Sequence, residues 1–226
     1  ADAAVQAGGG AIVGGTRRRL VKAGFSPAVS ALAHAPAAIE PGLAQEGILY
    51  PGDFDGDGRT DLFFHRAASG VNRLFLSEPE GAFTRVEKPI DKGAIAAGGE
   101  NEGGVVYVAD LDGDGKSDVF SHRVQSGVNR LFLSDGQGGF RRVPDPVKHG
   151  AVDGGEGDKG GRFAIADFDG DGLLDLFYRR AKTGYHRLFI NQGGGRFDEG
   201  RRVVAEDALE QGALIASDFN ADGCAD

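Results

Sequence analysis

From residue 46 onward, short apolar runs alternate with polar stretches rich in Asp and Gly. Leu62-Phe63-Phe64, Val119-Phe120 and Leu176-Phe177-Tyr178 each follow an acidic stretch, and Leu74-Phe75-Leu76, Leu131-Phe132-Leu133 and Leu188-Phe189-Ile190 come next in turn. Runs this brief, aromatic and β-branched, bounded by turn residues, read as strands. The pattern predicts a first strand over Ile48 to Gly52, Val105 to Ala109 and Phe163 to Ala166, and a second directly after each acidic stretch. A third covers Arg73 to Leu76 and its equivalents, and a fourth follows Phe83, Phe140 and Phe197. Ser69-Gly70, Ser126-Gly127 and Thr183-Gly184 supply the turn between the second and third strands, and Gly136 to Gly139 or Gln192 to Gly195 the next one.

The whole unit repeats. His65-Arg-Ala-Ala-Ser-Gly-Val-Asn-Arg-Leu-Phe-Leu-Ser77 matches the stretch from His122 to Ser134 at all but two positions, and Phe83, Phe140 and Phe197 lie 57 residues apart. Four short strands in a unit of this length are the mark of a β-propeller blade. The expected fold class is therefore all-β, a β-propeller of four-stranded blades over 46–103, 104–160 and 161–211, with 212–226 opening a fourth. About three and a half blades leave an open sheet edge, so the sequence is read as part of a longer chain. A seven-bladed propeller is expected, which would need about 400 residues.

The acidic stretches carry the chemistry. Asp53, Asp55, Asp57 and Asp61 occupy positions 1, 3, 5 and 9 of a nine-residue loop with a glycine at position 6, and the spacing recurs in Asp110, Asp112, Asp114, Asp118 and in Asp167, Asp169, Asp171, Asp175. A fourth copy, Asp218, Asn220, Asp222 and Asp226, replaces one carboxylate by an amide, which weakens that site. Carboxylates alternating along a tight turn converge on one hard cation, and calcium is the natural occupant. As ordinary turns without metal they would repel one another at the same offsets four times over. The calcium hand of paired helices is excluded, because it closes with Glu at position 12, where this chain has Phe64, Ser121 and Tyr178, and strand follows each loop. Three to four Ca2+ ions are expected.

Composition agrees. Among 226 residues Gly numbers 39, as a turn-dense β protein requires, and the four loops hold 15 of the 34 acidic side chains. Four divalent ions would bring +8 to a formal charge of −9, so the acidity reads as metal-binding capacity, with no nucleic acid partner implied. Residues 1–45 are rich in Ala, Gly and Pro and read as an N-terminal arm or linker. Arg17-Arg18-Arg19 within them is read as a solvated face, since no aromatics interleave it. The single Cys224 excludes an intrachain disulfide framework, and no apolar run is long enough for a transmembrane helix. The chain has no Met, which reads as a processed or truncated product. Millimolar calcium argues for an extracytoplasmic location: secreted, cell surface or organelle lumen.

With loop, strand and period in hand, the chain resembles the FG-GAP and VCBS repeat families, whose blades carry the Asp-x-Asp-x-Asp-Gly-x-x-Asp loop also found in integrin α-subunit propellers. The likeness covers 46–226, although the literal Phe-Gly and Gly-Ala-Pro signatures are missing. It implies a calcium-stabilised propeller in adhesion, protein binding or scaffolding. It also implies a backbone carbonyl ligand at position 7, namely that of Arg59, Lys116, Leu173 and Cys224.

No Ser/His/Asp, Cys/His or zinc-type cluster breaks the repeat, so the chain is read as no enzyme. The repeated His65, His122, Arg66, Arg123, Arg180, Arg73, Arg130 and Arg187 are read as structural, for instance pairing with a neighbouring blade's carboxylate. The acidic connectors bearing Glu100 and Glu102, and Glu156 and Asp158, are candidate partner-binding loops. The leading reading is a calcium-stabilised module for a protein partner or larger complex. The alternatives are a glycan-binding propeller, disfavoured by zero Trp and only 4 Tyr, and an accessory domain of a secreted polysaccharide lyase or hydrolase.

Overall fold

The structure, a computed structural model, describes residues 47–91, 94–95, 104–124, 126–147, 152, 161–180, 185–200, 216–220 and 222–225. The N-terminal arm, the connector residues Glu100, Glu102, Glu156 and Asp158, the Thr183-Gly184 turn, the start of the fourth unit and Asp226 lie outside the described residues.

Among the described residues there are twelve strands: β1 (Ile48–Gly52), β2 (Asp61–Arg66), β3 (Val71–Ser77), β4 (Phe83–Val86), β5 (Gly104–Ala109), β6 (Asp118–Arg123), β7 (Asn129–Ser134), β8 (Phe140–Val143), β9 (Arg162–Ala166), β10 (Asp175–Arg179), β11 (His186–Asn191) and β12 (Phe197–Glu199). They form three sheets of four strands, each a meander in chain order: β1-β2-β3-β4, β5-β6-β7-β8 and β9-β10-β11-β12. The fold is all-β, and the sheets are successive blades of a partial propeller. The predicted strands are found, the third of each blade longer than expected. Ser77, Ser134 and Asn191 close it in the ladder with Phe83, Phe140 and Phe197.

The acidic loop of each blade joins its first two strands. Its last carboxylate opens the second strand, paired across the ladder as Gly52↔Asp61, Ala109↔Asp118 and Ala166↔Asp175. The turn before β4 differs from its glycine-rich counterparts. Pro79–Gly81 forms a tight turn in which two residues after the proline are left-handed, Glu80 at φ 73 and Gly81 at φ 84, an angle that costs the glycine nothing and is uncommon for a glutamate.

The core lies between blades. Phe54, Phe63 and Leu74 of the first meet Val106, Val119 and Phe132 of the second; Leu111, Phe120 and Leu131 of the second meet Phe163, Tyr178 and Phe189 of the third. Neighbouring side chains along a strand face opposite sides, so Phe63 joins this first interface while Phe64 packs with Phe75 on the other face. Burial on both faces is why the second strands read as continuous apolar runs.

Candidate metal centre

The three complete loops fold alike, through the same chain of side chain to backbone hydrogen bonds, and the described residues of the fourth follow it. The first Asp grips the two glycines: Asp53 accepts from the N–H of Gly56 and Gly58 at 2.8 and 2.9 Å, Asp110 from Gly113 and Gly115 at 2.8 and 2.9 Å, and Asp167 from Gly170 and Gly172 at 2.7 and 2.9 Å. Asp218 holds Gly223 at 3.0 Å. Position 3 accepts from the N–H of position 5, and position 5 from that of position 7; Asp112 reaches Asp114 at 3.2 Å, and Asp114 reaches Lys116 at 2.9 Å. Asn220 keeps this bond, to Asp222 at 2.9 Å, because its amide oxygen accepts as a carboxylate does.

Two glycines are needed per complete loop, where the sequence reading stressed one. Gly56 and Gly58 have φ of 79 and 87, Gly113 and Gly115 of 84 and 88, Gly170 and Gly172 of 79 and 92. These left-handed angles turn the chain sharply enough to aim the alternate carboxylates inward.

Three groups of acids are gathered this way: Asp53, Asp55 and Asp57; Asp110, Asp112 and Asp118; Asp167, Asp169 and Asp175. In each, one oxygen per residue lies within 4.8 Å of the others. The closing acids are also structural ties. Asp61 accepts from Phe54 N–H at 2.8 Å and Ser77 N–H at 2.7 Å; Asp118 from Leu111 at 2.8 Å and Ser134 at 2.9 Å; Asp175 from Phe168 at 2.9 Å and Asn191 at 2.7 Å. Position 9 thereby fastens the loop to the end of the third strand.

This crowding has an electrostatic cost. Burial, with neighbouring acids behind it, pushes Asp55 and Asp112 above the usual carboxylate range. Burial also raises Asp61 and Asp175 and lifts Asp118 to about 8, against the two backbone donors that favour its charge. Asp114 goes the other way: partial burial opposes its ionisation, but the Lys116 ammonium bonded to it wins. Crowded oxygen donors of one sign, several of them half out of water, are what a hard divalent cation stabilises. The residues present fit calcium, with no nitrogen or sulfur in the three groups.

The position-7 residues, expected to offer their carbonyls, also use their side chains. Arg59 pairs with Asp57 and donates to the Ser77 carbonyl at 3.0 and 2.8 Å, and Lys116 pairs with Asp114. A Cβ built on Gly56, Gly113 or Gly170, position 4 of a loop, would lie 3.1, 2.6 or 2.8 Å from the side chain of Lys116, Leu173 or Cys224, position 7 of the following loop.

Backbone contacts join the loops as well, a role the sequence reading missed. Ser117 N–H donates to the Asp53 carbonyl at 2.6 Å, and Ala225 N–H to that of Asp167 at 2.6 Å. Ser134 Oγ donates to the Phe54 carbonyl at 2.6 Å and Asn191 Nδ2 to that of Leu111 at 3.1 Å. The recurrence of Ser77, Ser134 and Asn191 at the 57-residue period was the available signal.

The histidines correct an expectation. His65 Nδ1 bonds Asn72 Oδ1 at 2.8 Å and His122 Nδ1 bonds Asn129 Oδ1 at 2.9 Å, so the partner is an amide of the same blade and not a neighbouring carboxylate. Away from water a neutral pair costs less than a charged one. Burial accordingly holds both imidazoles below their ordinary range, His122 at about 4. Of the arginines, Arg130 donates to the Ala94 carbonyl and Arg187 pairs with Glu199 of its own blade.

No curated protein matches the chain by sequence. Among solved structures, the chain is similar to an Agrocybe aegerita lectin solved for its specific recognition of non-reducing terminal N-acetylglucosamine. The TM-score is 0.63 at 24% identity, covering 79% of this chain and 45% of the lectin. At that identity the likeness concerns the fold, and the chain spans less than half the lectin's length. A family model describing the FG-GAP-like repeat matches residues 53–121, 110–178 and 167–226, each match running from one acidic loop into the next. By loop, blade and repeat alike, the chain belongs to the FG-GAP-like repeat family.

Proposed function

We propose that this chain is a non-catalytic binding module in which calcium, held by the acidic loops, stiffens successive blades that present their connecting loops to a protein partner outside the cytoplasm. The convergence of hard oxygens in Asp53/Asp55/Asp57, Asp110/Asp112/Asp118 and Asp167/Asp169/Asp175 carries the calcium part. Each ion would bind only the folded loop, so its binding energy becomes folding energy. Among the described residues no helix is long and apolar enough to cross a membrane. Compartments with millimolar calcium keep such loops filled.

A glycan-binding reading draws support from the fold it shares with the lectin. The aromatic side chains weigh against it. Tyr178 is fully buried, Tyr107 accepts a bond from Phe163 N–H at 2.9 Å, Tyr50 packs on the first inter-blade core, and Tyr185 lies between Arg180 and Arg187, 4.9 and 5.2 Å from its ring. With no Trp in the chain, little is left to stack on a sugar.

The test is calorimetric titration of chelator-stripped protein with calcium, followed by a glycan array that includes terminal N-acetylglucosamine. Calcium uptake with no sugar retained is the expected outcome. Retention of a sugar class would replace the protein partner with a glycan, and absence of calcium heat would remove the calcium reading.

A further inference from the structure

We infer that the calcium sites of neighbouring blades bind cooperatively, each filled loop lowering the cost of ordering the next, with Ser117 as the joint between the first and the second. This rests on the calcium reading above.

Ser117 stands between Lys116, whose carbonyl is the position-7 ligand by family likeness, and Asp118 of the second acid group. Both of its polar groups go to the first ligand of the preceding loop: its N–H donates to the Asp53 carbonyl at 2.6 Å, and its Oγ accepts from Asp53 N–H at 3.1 Å. Asp53 is the residue whose two carboxylate oxygens hold Gly56 and Gly58 in place. A shift of loop one therefore moves Ser117, and Ser117 cannot move without its two neighbours. Beside it, the Lys116 side chain lies over Gly56, and Ser134 Oγ holds the Phe54 carbonyl at 2.6 Å.

Other ties join the later loops to the unit that follows. Loop two is tied to the third blade by Asn191 Nδ2 on the Leu111 carbonyl at 3.1 Å, by Gly194 N–H on the Asp112 carbonyl at 3.4 Å, and by Leu173 over Gly113. Loop three is tied to the fourth by Ala225 N–H on the Asp167 carbonyl and by Cys224 over Gly170. An ion that fixes one loop leaves the carbonyls used by the next in place, so the second ion meets part of its ordering cost already met. The coupling must be reciprocal.

Bare electrostatics gives the opposite sign. A cation in one loop weakens the negative field at its neighbour and opposes a second cation, an effect that salt screens. Positive cooperativity that persists in salt therefore reports the contacts.

The experiment is calorimetric titration of the stripped chain with calcium at about 0.15 M and about 1 M ionic strength. The expected isotherm is steeper than that of independent sites at both. Asp55→Ala, which removes a first-loop ligand whose hydrogen bond, accepted from Asp57 N–H at 3.1 Å, stays inside that loop, should delete one site and weaken a remaining one by about fivefold or more. Ser117→Ala should keep the number of sites and reduce the steepness, a readout that a purely structural serine would not move. Circular dichroism checks the fold, and if Ser117→Ala does not fold, Ser134→Ala takes its place. An isotherm of independent sites at both ionic strengths, or loss of one site with the others unchanged in Asp55→Ala, overturns the coupling. Complete lack of calcium binding would instead overturn the proposed function.

Discussion

The two ends of each of the first two blades handle buried polarity in opposite ways. Where the first strand passes to the second, carboxylates of one sign are drawn together, and burial lifts Asp118 to about 8. Toward the turn between the second and third strands, these blades bury His65 on Asn72 and His122 on Asn129, neutral pairs in which Nδ1 is bonded and Nε2 is buried without a hydrogen-bond partner among the described residues. The difference teaches that, on the calcium reading proposed above, one end of the repeat answers to a bound ion and the other to the protonation of a buried imidazole. Each can be loosened without touching the other.

The largest effect separating the two ends should come from the loops. Removing calcium is expected to lower the melting temperature by on the order of 10 °C or more, since each ion present well above its dissociation constant contributes about 2 to 3 kcal/mol. Asp112→Ala should reproduce roughly one site's share, while Asp198→Asn, a comparable change of charge on an exposed position of β12, should cost less than about 0.5 kcal/mol. Thermal melts in calcium and in chelator check both; an unchanged melt in chelator would erase the contrast between the ends.

The histidine end should answer to acid. Burial, helped by nearby Arg162 and opposed by the Asn129 bond, holds folded His122 near 4, well below the ordinary 6.5. The unfolded chain therefore takes up the proton first. Stability is fully present above about pH 6.5 and falls as pH drops towards 4, by on the order of 3 kcal/mol. His122→Leu should be less stable at pH 7.5 yet lose less on acidification, as urea melts in saturating calcium would show. A variant with the same acid slope as the parent would assign that slope to other groups.

A smaller effect is expected beside it. A Cβ on Gly161 would fall 2.3 Å from Tyr178 Oη and 2.8 Å from Cζ, and that ring packs 5.5 Å from His122. Gly161→Ala should cost about 1 to 3 kcal/mol through overpacking and leave calcium affinity alone. A loss of calcium affinity in this variant would show that the two ends are not independent.

Much of this was legible in the sequence because it is local. Asp53 through Asp61 declare a turn by their own spacing, and Leu62-Phe63-Phe64 declares a strand buried on both faces. What stayed hidden depends on residues brought together from a distance. Asp61 looked like a ligand only, yet it also fastens Ser77, sixteen positions away, to the loop. Nothing in the sequence singles out Ser117, because its partner Asp53 belongs to the preceding unit. His65 reads as structural from its repetition, but spacing does not tell how dry its surroundings are, so the amide of Asn72 as its partner could not be read off the sequence.

The seventh loop residue varies, as Arg59, Lys116, Leu173 and Cys224, and the eighth varies beside it, as Thr60, Ser117, Leu174 and Ala225, in a motif whose other members barely change. If its carbonyl faces the ion, any side chain will serve there, and that side chain is free to rest on the fourth residue of the loop before it, Gly56, Gly113 or Gly170. One residue then serves two masters, its backbone chemistry common to all units and its side chain private to one junction. A unit transplanted to another place in the series would bring its acidic loop intact and still meet the wrong neighbour, at a loop position that looks unconstrained in the sequence.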